Sequence, residues 1–264
     1  MDNLKTIILN KKEEVVTITL NRPGVRNAIN LQMIREMGSA IRKLNNDRWI
    51  RLIIFNSPGD HFCSGADLKW MQSVQDLPED QLESESLELA GLFRIIWESR
   101  AVTMCSVKGY LPGGAIGLLA ASDLVVAERS AILTFSELKL GLIPATIAPY
   151  VIRKVGFSRT SEWMMTGRSI SATEAHEAGL IHRICDEGSL EASTGILAQE
   201  LLSGGPHALK ALKQLLRDLE GMNDPGAVDQ YTSRLIAGIR VSPEGQEGMK
   251  AFLEKRKPGW DEGQ

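Results

Sequence analysis

The sequence predicts an α/β fold, and two patterns along the chain indicate it. Runs of β-branched and aliphatic residues recur at 15–20, 51–57, 102–107 and 123–128, as is typical of buried strands. Between the first two runs, apolar residues repeat with the spacing of one helix face, namely Leu31, Ile34, Met37, Ile41 and Leu44. Strands that alternate with helices favour an α/β core.

The rest of the chain predicts a smaller helical region. A chain of 264 residues is long enough for one main domain with an appendage. Beyond Thr166 helical patterns dominate: Ser171 and Glu174 have capping-box spacing before a short helix that Gly179 ends, and residues 207–221 and 247–256 read as further helices. We therefore divide the chain into a core of residues 1–195 and a C-terminal helical region of residues 196–264.

Charge and cysteine usage limit the partners and the compartment. The net charge is only −3 and the basic residues are scattered, so nucleic acid is not an expected partner. Cys63, Cys105 and Cys185 are odd in number and far apart, which indicates reduced thiols inside a cell. The first residues lack the features of a secretion signal, and the longest apolar stretch is shorter than the roughly 20 residues of a membrane span. We expect a cytoplasmic protein without a membrane partner.

Residues 74–88 form a polar, acidic segment. Their charge pattern predicts a mobile surface loop that leads into a helix toward Trp97. The segment follows one of the motifs described next, so a role in gating a substrate is the alternative interpretation.

Three motifs carry the candidate chemistry, and each follows a predicted strand. They are HFCSGADLKWM at 61–71, GYLPGGAIGLLAASD at 109–123 and TFSELKLGLIP at 134–144. The glycine pair at 113–114 opens an apolar helix, where small residues serve either tight packing or the approach of a ligand to backbone N–H groups. With NRPGVRNAIN at 21–30 and FLEKRKPGW at 252–260, these motifs closely resemble the enoyl-CoA hydratase/isomerase (crotonase) family over nearly the whole chain.

The resemblance implies a fold, a substrate and an oxyanion site. It implies a crotonase-like spiral of ββα units with a C-terminal helical region that assembles homotrimers or homohexamers. It implies an acyl-CoA substrate whose thioester carbonyl gathers negative charge as an enolate. By position, the backbone N–H groups of Ala66 and Gly114 receive that charge, and small residues let the thioester oxygen approach them.

The resemblance also implies one catalytic acid. Hydratases of the family commonly use two glutamates, but the motif alignment puts Gly117 at the first position and Glu137 at the second. Glu137 would exchange a proton with the carbon next to the thioester, and the apolar neighbours Phe135 and Leu138 predict that its pKa is raised.

With one glutamate, several reactions stay open. The motifs are most similar to methylglutaconyl-CoA hydratases of leucine breakdown, so we expect hydration, or reversible dehydration, of an α,β-unsaturated acyl-CoA. An enoyl-CoA isomerase, an acyl-CoA decarboxylase and a catalytically silent acyl-CoA-binding protein are the alternatives.

The resemblance assigns further residues to coenzyme A, which is part of the substrate, so no separate cofactor is expected. The nucleotide would lie against the main chain around Ser64 to Leu68 with Lys69 as a cation, Arg26 would contact phosphate, and Phe252 and Lys255 would reach the nucleotide from a neighbouring subunit. The complete set of expected substrate contacts is Arg26, Ser64, Ala66, Asp67, Leu68, Lys69, Gly113, Gly114, Gly117, Phe252 and Lys255. Asp67 and Asp123 are expected to shape loops, and the four histidines suggest no metal site.

Overall fold

The computed structural model describes residues 4–74 and 76–261 and divides the chain into two compact units. The first unit ends at Thr194 and the second begins at Gly195. Residues 1–3, Gln75 of the acidic segment and residues 262–264 lie outside the described residues.

The first unit is built on two sheets. Its strands are β1 (Ile7–Lys12), β2 (Val15–Leu20), β3 (Leu52–Asn56), β4 (Val102–Val107), β5 (Tyr110–Pro112), β6 (Leu124–Glu128), β7 (Ile132–Thr134), β8 (Ser169–Ser171) and β9 (Arg183–Cys185). The larger sheet has the order β1-β2-β3-β4-β6-β9, and all its neighbours are parallel except β1 and β2. Every residue of β4 is buried, as expected for a central strand covered on both faces.

The smaller sheet positions the segments that matter for function. It has the order β5-β7-β8, with β5 and β7 parallel. Because Pro112 pairs with Thr134, the ends of these two strands lie side by side. The glycine pair after β5 is therefore close to the segment that follows β7.

Helices cover the sheets of the first unit. They are α1 (Leu31–Asn46), α2 (Leu68–Ser73), α3 (Glu79–Trp97), α4 (Gly114–Ala121), α5 (Ala148–Val155), α6 (Phe157–Thr166), α7 (Ala172–Glu177) and α8 (Leu190–Leu202), which crosses into the second unit. The predicted stripe of α1 buries Ile34, Met37 and Ile41 in the core. The residues of α4 after Gly114 are all buried.

The predicted capping box is confirmed at the start of α7. The Ser171 hydroxyl accepts a hydrogen bond from the Glu174 N–H at 3.1 Å, and the Glu174 carboxylate accepts one from the Ser171 N–H at 3.3 Å. Two orphan donors of the first turn are thus satisfied reciprocally.

The expectation of a loop at residues 74–88 is wrong from Glu79 onward, because α3 begins there. Pro78 precedes the helix, and Glu79 and Asp80 in its first turn interact favourably with the positive end of the helix dipole. Arg35 of α1 donates to both carboxylate oxygens of Glu88, at 2.8 and 2.7 Å, which holds this polar part of α3 against α1.

The second unit contains the end of α8 and three further helices, α9 (Pro206–Glu220), α10 (Pro225–Val241) and α11 (Pro243–Leu253). Each of the three starts with proline, whose missing N–H would have no partner in a first turn. The tail after α11 is held by Trp260, whose indole N–H donates to the Ser203 carbonyl at 3.1 Å. Among the described residues, no helix combines the length and the apolar character needed to cross a membrane.

Candidate active site

The backbone around Ala66 is fixed on both sides while its own N–H stays open. Ala66 lies on the loop after β3 and forms an isolated bridge with Ile29. The Ile29 N–H donates to the Gly65 carbonyl at 2.7 Å, and the Asp67 N–H donates to the Ile29 carbonyl at 2.9 Å. Among residues 4–74 and 76–261, no acceptor pairs with the N–H of Ala66, and the residue as a whole is half-buried.

Gly114 offers a second open N–H. It is the first residue of α4, and the first N–H groups of a helix have no intrahelical partner. The preceding Gly113 N–H donates to the Thr134 carbonyl at 3.0 Å, and the Ile116 N–H to the Gly113 carbonyl at 2.8 Å. Within the described part of the chain, the Gly114 N–H has no acceptor.

The two open donors are neighbours in space. A Cβ atom at position 114 would lie 3.6 Å from the Ala66 nitrogen and 3.5 Å from Cδ1 of Ile29. The structure thus brings together the two N–H groups that the family resemblance assigned to an oxyanion hole, and the start of α4 adds its positive dipole end. Such a pair can stabilise an oxygen atom that becomes negatively charged.

The carboxyl group of Glu137 lies against the same turn. Gly113 has φ 47° and ψ −112°, which disfavours any residue with a side chain. A Cβ atom there would also lie 2.5 Å from Oε1 of Glu137. Glycine at 113 therefore allows the carboxyl to approach the backbone that leads into Gly114.

The carboxyl group of Glu137 is partly buried, and one of its oxygens has no hydrogen-bond partner among the described residues. The residue begins a 3₁₀ turn, Glu137–Leu140, after β7, and the oxygen without a partner is the buried Oε2. Burial raises the pKa of Glu137 above its ordinary value, the direction expected from the sequence. Of the two neighbours invoked for that effect, Phe135 is buried but Leu138 is 45% exposed, so only Phe135 belongs to an apolar interior.

Gly117 lies three residues after Gly114 and faces packed apolar side chains. A Cβ atom there would lie 2.7 Å from Cζ of Phe93 and would collide with Cγ2 of Ile147. Phe93 and Ile147 are both buried. The space into which a longer side chain at 117 would extend is therefore filled, and α4 (Gly114–Ala121) contributes no acid.

Asp67 and Asp123 use their carboxylates in structural contacts. Oδ1 of Asp67 accepts from the N–H groups of Lys69 and Trp70 at the start of α2, and Oδ2 accepts from Arg22 at 3.0 Å. Burial opposes ionisation, but these hydrogen bonds together hold the pKa of Asp67 below its ordinary value. Oδ2 of Asp123 accepts from the Thr103 N–H at 2.7 Å.

Several residues expected at coenzyme A lie beside Ala66. The Ser64 N–H donates to the Arg26 carbonyl at 2.9 Å, which brings Arg26 next to the segment that carries the donor. Arg26, Leu68 and Lys69 are all exposed. They can therefore line one surface strip that extends from the open N–H of Ala66.

Phe252 and Lys255, which were also expected to contact coenzyme A, belong to the second unit. Phe252 lies near the end of α11 and is 84% exposed, and Lys255 follows with φ 54°.

The sequence analysis missed four residues of the site region. Phe93 and Ile147 fill the space beside Gly117, while Arg22 and the buried Asn27 hold the segment that faces Ala66. The motif NRPGVRNAIN contains Arg22 and Asn27, so the polar residues of this motif were the available signal. For Phe93 and Ile147 there was no comparable signal, because ordinary core residues look the same in a sequence.

The described residues suggest no metal-binding group. Over residues 4–74 and 76–261, no three or more side chains of histidine, cysteine, aspartate and glutamate are arranged to hold a metal ion. All three cysteines are buried and free, and burial raises the pKa of Cys63 and of Cys105 to about 12.

Known proteins are similar to this chain in sequence and in fold. Residues 10–263 match the family model described as enoyl-CoA hydratase/isomerase. Enoyl-CoA hydratase EchA19 of Mycobacterium tuberculosis is 31% identical over 259 residues, which cover 96% of this chain and 95% of that protein. Among solved structures, an enoyl-CoA hydratase from Shewanella pealeana is 35% identical with a TM-score of 0.91, covering 98% of this chain and 97% of that one. Pseudomonas aeruginosa AtuE is 31% identical with a TM-score of 0.93, covering 97% and 100%.

Fold and sequence together define an enzyme with the crotonase architecture, which confirms the predicted fold class. The chain belongs to the enoyl-CoA hydratase/isomerase family, whose members act on acyl-CoA substrates. The narrower resemblance to methylglutaconyl-CoA hydratases stays a prediction.

Proposed function

We propose that this enzyme hydrates an α,β-unsaturated acyl-CoA, and dehydrates the product, with one glutamate and a backbone oxyanion hole. The observation that carries the proposal is the pair of open N–H groups of Ala66 and Gly114, with the carboxyl of Glu137 against the same turn. A thioester oxygen held by both donors would leave its α-carbon accessible to a nearby acid or base.

The proposed reaction needs only groups of this chain, the substrate and water. The carboxylate of Glu137 orients a water molecule and accepts one of its protons as the oxygen bonds to the β-carbon. The electrons of the double bond move toward the thioester oxygen, where the two N–H groups stabilise the enolate charge. Glu137 then delivers the proton to the α-carbon, so that one water is added on one face and the carboxylate is restored. No separate cofactor takes part.

The raised pKa of Glu137 suits this double role. A group that both accepts and donates a proton works best when its pKa is close to the working pH. Burial moves Glu137 in that direction.

The apolar surroundings of Gly117 favour a second candidate, an enoyl-CoA isomerase. Phe93 and Ile147 fill the space where a second acid could act on water. An isomerase requires only one base, which carries a proton between the α- and γ-carbons of an allylic system while the oxyanion hole holds the dienolate. A decarboxylase, which depends on the oxyanion hole more than on a base, and a silent acyl-CoA binder are further outcomes of the test.

For the acyl group, we propose 3-methylglutaconyl-CoA, an intermediate of leucine breakdown. The support is the motif pattern GADLKWM, GGAIGL and FSELKLGLIP. Crotonyl-CoA is the unbranched comparison substrate.

A mass-resolved assay in heavy-oxygen water tests these proposals. The purified protein is incubated with crotonyl-CoA, 3-methylglutaconyl-CoA and a 3-enoyl-CoA. Gain of one labelled water by a 2-enoyl substrate supports the hydratase, and the faster substrate identifies the acyl group. Mass-neutral conversion of the 3-enoyl-CoA without hydration would replace it by the isomerase. Loss of carbon dioxide from 3-methylglutaconyl-CoA would indicate a decarboxylase, and binding without conversion would contradict every catalytic proposal.

We also propose a homotrimer or homohexamer in the cytoplasm. The family resemblance supports the assembly, as do the highly exposed apolar side chains Phe252 and Leu253 at the end of α11. The free state of all three cysteines supports a reducing compartment.

A further inference from the structure

We propose that Arg22 is a positioning residue that orients and polarises the N–H of Ala66 through two hydrogen-bonded peptide groups. The inference rests on the proposed function, because it requires that the Ala66 N–H holds the thioester oxygen.

The first step of this relay joins the guanidinium to a peptide carbonyl. Nη1 of Arg22 donates to the carbonyl oxygen of Ala28 at 2.5 Å. That carbonyl belongs to the same planar trans peptide group as the N–H of Ile29, in which the C=O and N–H bonds point in opposite directions and their dipoles are therefore aligned. A cation on the carbonyl side therefore makes the Ile29 N–H a stronger donor.

The second step carries the effect to the site. The Ile29 N–H donates to the Gly65 carbonyl at 2.7 Å. This carbonyl shares its peptide plane with the N–H of Ala66, so its direction fixes the direction in which the Ala66 N–H points. The chain of donors thus runs from Arg22 through Ile29 to Ala66, whose N–H has no acceptor among the described residues.

The position of Arg22 is itself well determined. Nη1 and Nη2 both lie 3.0 Å from Oδ2 of Asp67, whose other oxygen caps α2. The Arg22 backbone is held by Asn27, which is buried: the Arg22 N–H donates to Asn27 Oδ1 at 2.8 Å, and the Asn27 N–H donates to the Arg22 carbonyl at 2.9 Å. Hydrogen bonds therefore hold both the backbone and the guanidinium group of Arg22.

Partial burial makes this ion pair different from a surface pair. The side chains of Arg22 and Asp67 are 20% and 13% exposed, whereas those of Arg35 and Glu88, a pair that is also joined by two hydrogen bonds, are 60% and 33% exposed. Electrostatic effects are stronger where less water screens them. The pair Arg35 and Glu88 therefore provides a matched control outside the site.

The test measures the thioester carbonyl directly. Crotonyl-CoA labelled with ¹³C at the thioester carbonyl is bound to the Glu137→Gln protein, which prevents turnover, and the carbonyl stretching frequency is recorded by difference infrared spectroscopy. Hydrogen bonds from the oxyanion hole lower this frequency relative to the free ligand. We expect Arg22→Gln to reduce that lowering, Arg22→Lys to reduce it less because charge is retained, and Arg35→Gln to leave it unchanged.

Kinetics on the Glu137-containing enzyme provide the second readout. Loss of a whole oxyanion donor costs about 10²–10³ in kcat, so weakening one donor through Arg22→Gln is expected to cost about 10-fold with KM within about threefold. Thermal unfolding establishes that each variant is folded, and Arg22→Lys replaces Arg22→Gln if the latter does not fold.

The outcomes separate this inference from the function it rests on. A bound carbonyl whose frequency is not lowered with Arg22 present would overturn the oxyanion hole and the relay together. The relay alone would be overturned if Arg22→Gln left the lowering of the carbonyl frequency unchanged and had a kcat no lower than that of Arg35→Gln.

Discussion

Glu137 shows that the candidate site is maintained at a cost in stability. Its carboxyl is partly buried, one oxygen has no hydrogen-bond partner among the described residues, and burial raises its pKa. Ionisation of this group therefore disfavours the folded state. A group kept in such a position is expected to serve the reaction rather than the fold.

This cost makes a prediction for Glu137→Gln. The pKa of Glu137 is higher in the folded than in the unfolded chain, so ionisation of this carboxyl lowers the stability of the fold. The full loss of stability is present above the folded pKa, and none of it remains below the unfolded pKa of about 4.3. The variant should therefore unfold at a higher temperature than the parent at pH 7 to 8, and the difference should shrink as the pH falls toward about 4.3. Thermal unfolding at a series of pH values measures this.

Glu88→Gln is the control with the opposite sign. The hydrogen bond from Arg35 lowers the pKa of Glu88, so its charge stabilises the fold above the unfolded pKa and that stabilisation is lost as the pH falls through the folded pKa. The control should be less stable than the parent near neutral pH. A Glu137→Gln protein that is also less stable there would contradict our description of Glu137.

Gly117 is predicted to tolerate no side chain. In Gly117→Ala the new methyl group would overlap Phe93 and Ile147, and overpacking of this kind typically costs about 1–3 kcal/mol. Gly91→Ala, within α3 and with no atom near its Cβ position, should instead stabilise the protein by about 0.4–1 kcal/mol. Denaturant unfolding compares the two, and equal effects would show that the space beside Gly117 is not filled.

At the residue scale, the sequence indicated which polar groups lie near one another better than it indicated the packing around them. Gly113, Gly114 and Glu137 could be located because the motifs that contain them resemble those of the enoyl-CoA hydratase/isomerase family. Phe93 and Ile147 could not be found, since their effect on Gly117 depends on α3 and the segment before α5 meeting α4 in space. Contacts between distant segments leave no local pattern.

At the scale of elements, the start of α4 is where the fold and the site meet. Gly114 does not have a positive φ, and a Cβ atom there would have its nearest neighbours at 3.5 Å or more, which is ordinary contact. Alanine is also a better helix former than glycine. The fold alone therefore gives no reason for glycine at this position.

Gly114→Ala should consequently separate folding from function. We expect its unfolding temperature to match or exceed that of the parent, while the methyl group, 3.6 Å from the Ala66 nitrogen, occupies the space of the thioester oxygen. Loss of oxyanion stabilisation should lower kcat about 10²-fold or more. Parent-like turnover by a folded Gly114→Ala protein would contradict the proposed hole.

The helices were predictable where a local signal marks their ends. The capping box of α7 was found because Ser171 and Glu174 satisfy each other within one turn. The start of α3 was missed because an acidic segment looks solvated whether or not it is helical, and the contact of Glu88 with Arg35 is distant in sequence. The alternation of β2, α1 and β3 was predicted from periodicity. The strand order was not predicted: β4 pairs with β6, while β5 belongs to the smaller sheet.

At the scale of the whole molecule, the exposed end of α11 bears on assembly. The apolar side chains of Phe252 and Leu253 are 84% and 80% exposed, a feature typical of protein interfaces. We predict a particle mass of three or six times the 29.0 kDa of one chain, measured by light scattering. Phe252→Ser should shift the particle toward smaller species, and a fully active monomer at micromolar concentration would contradict the assembly.

The central claim is that Glu137 moves a proton at the α-carbon of a thioester held by Ala66 and Gly114. The most direct measurement is α-proton exchange of butyryl-CoA in D₂O, followed by mass spectrometry and NMR. This saturated compound can be neither hydrated nor isomerised, so its exchange does not depend on which reaction the enzyme performs. We predict that the parent protein incorporates one deuterium at the α-carbon and that Glu137→Gln incorporates none while still binding the ligand. Exchange that persists in Glu137→Gln, or a parent protein that binds butyryl-CoA without exchange, would contradict the claim.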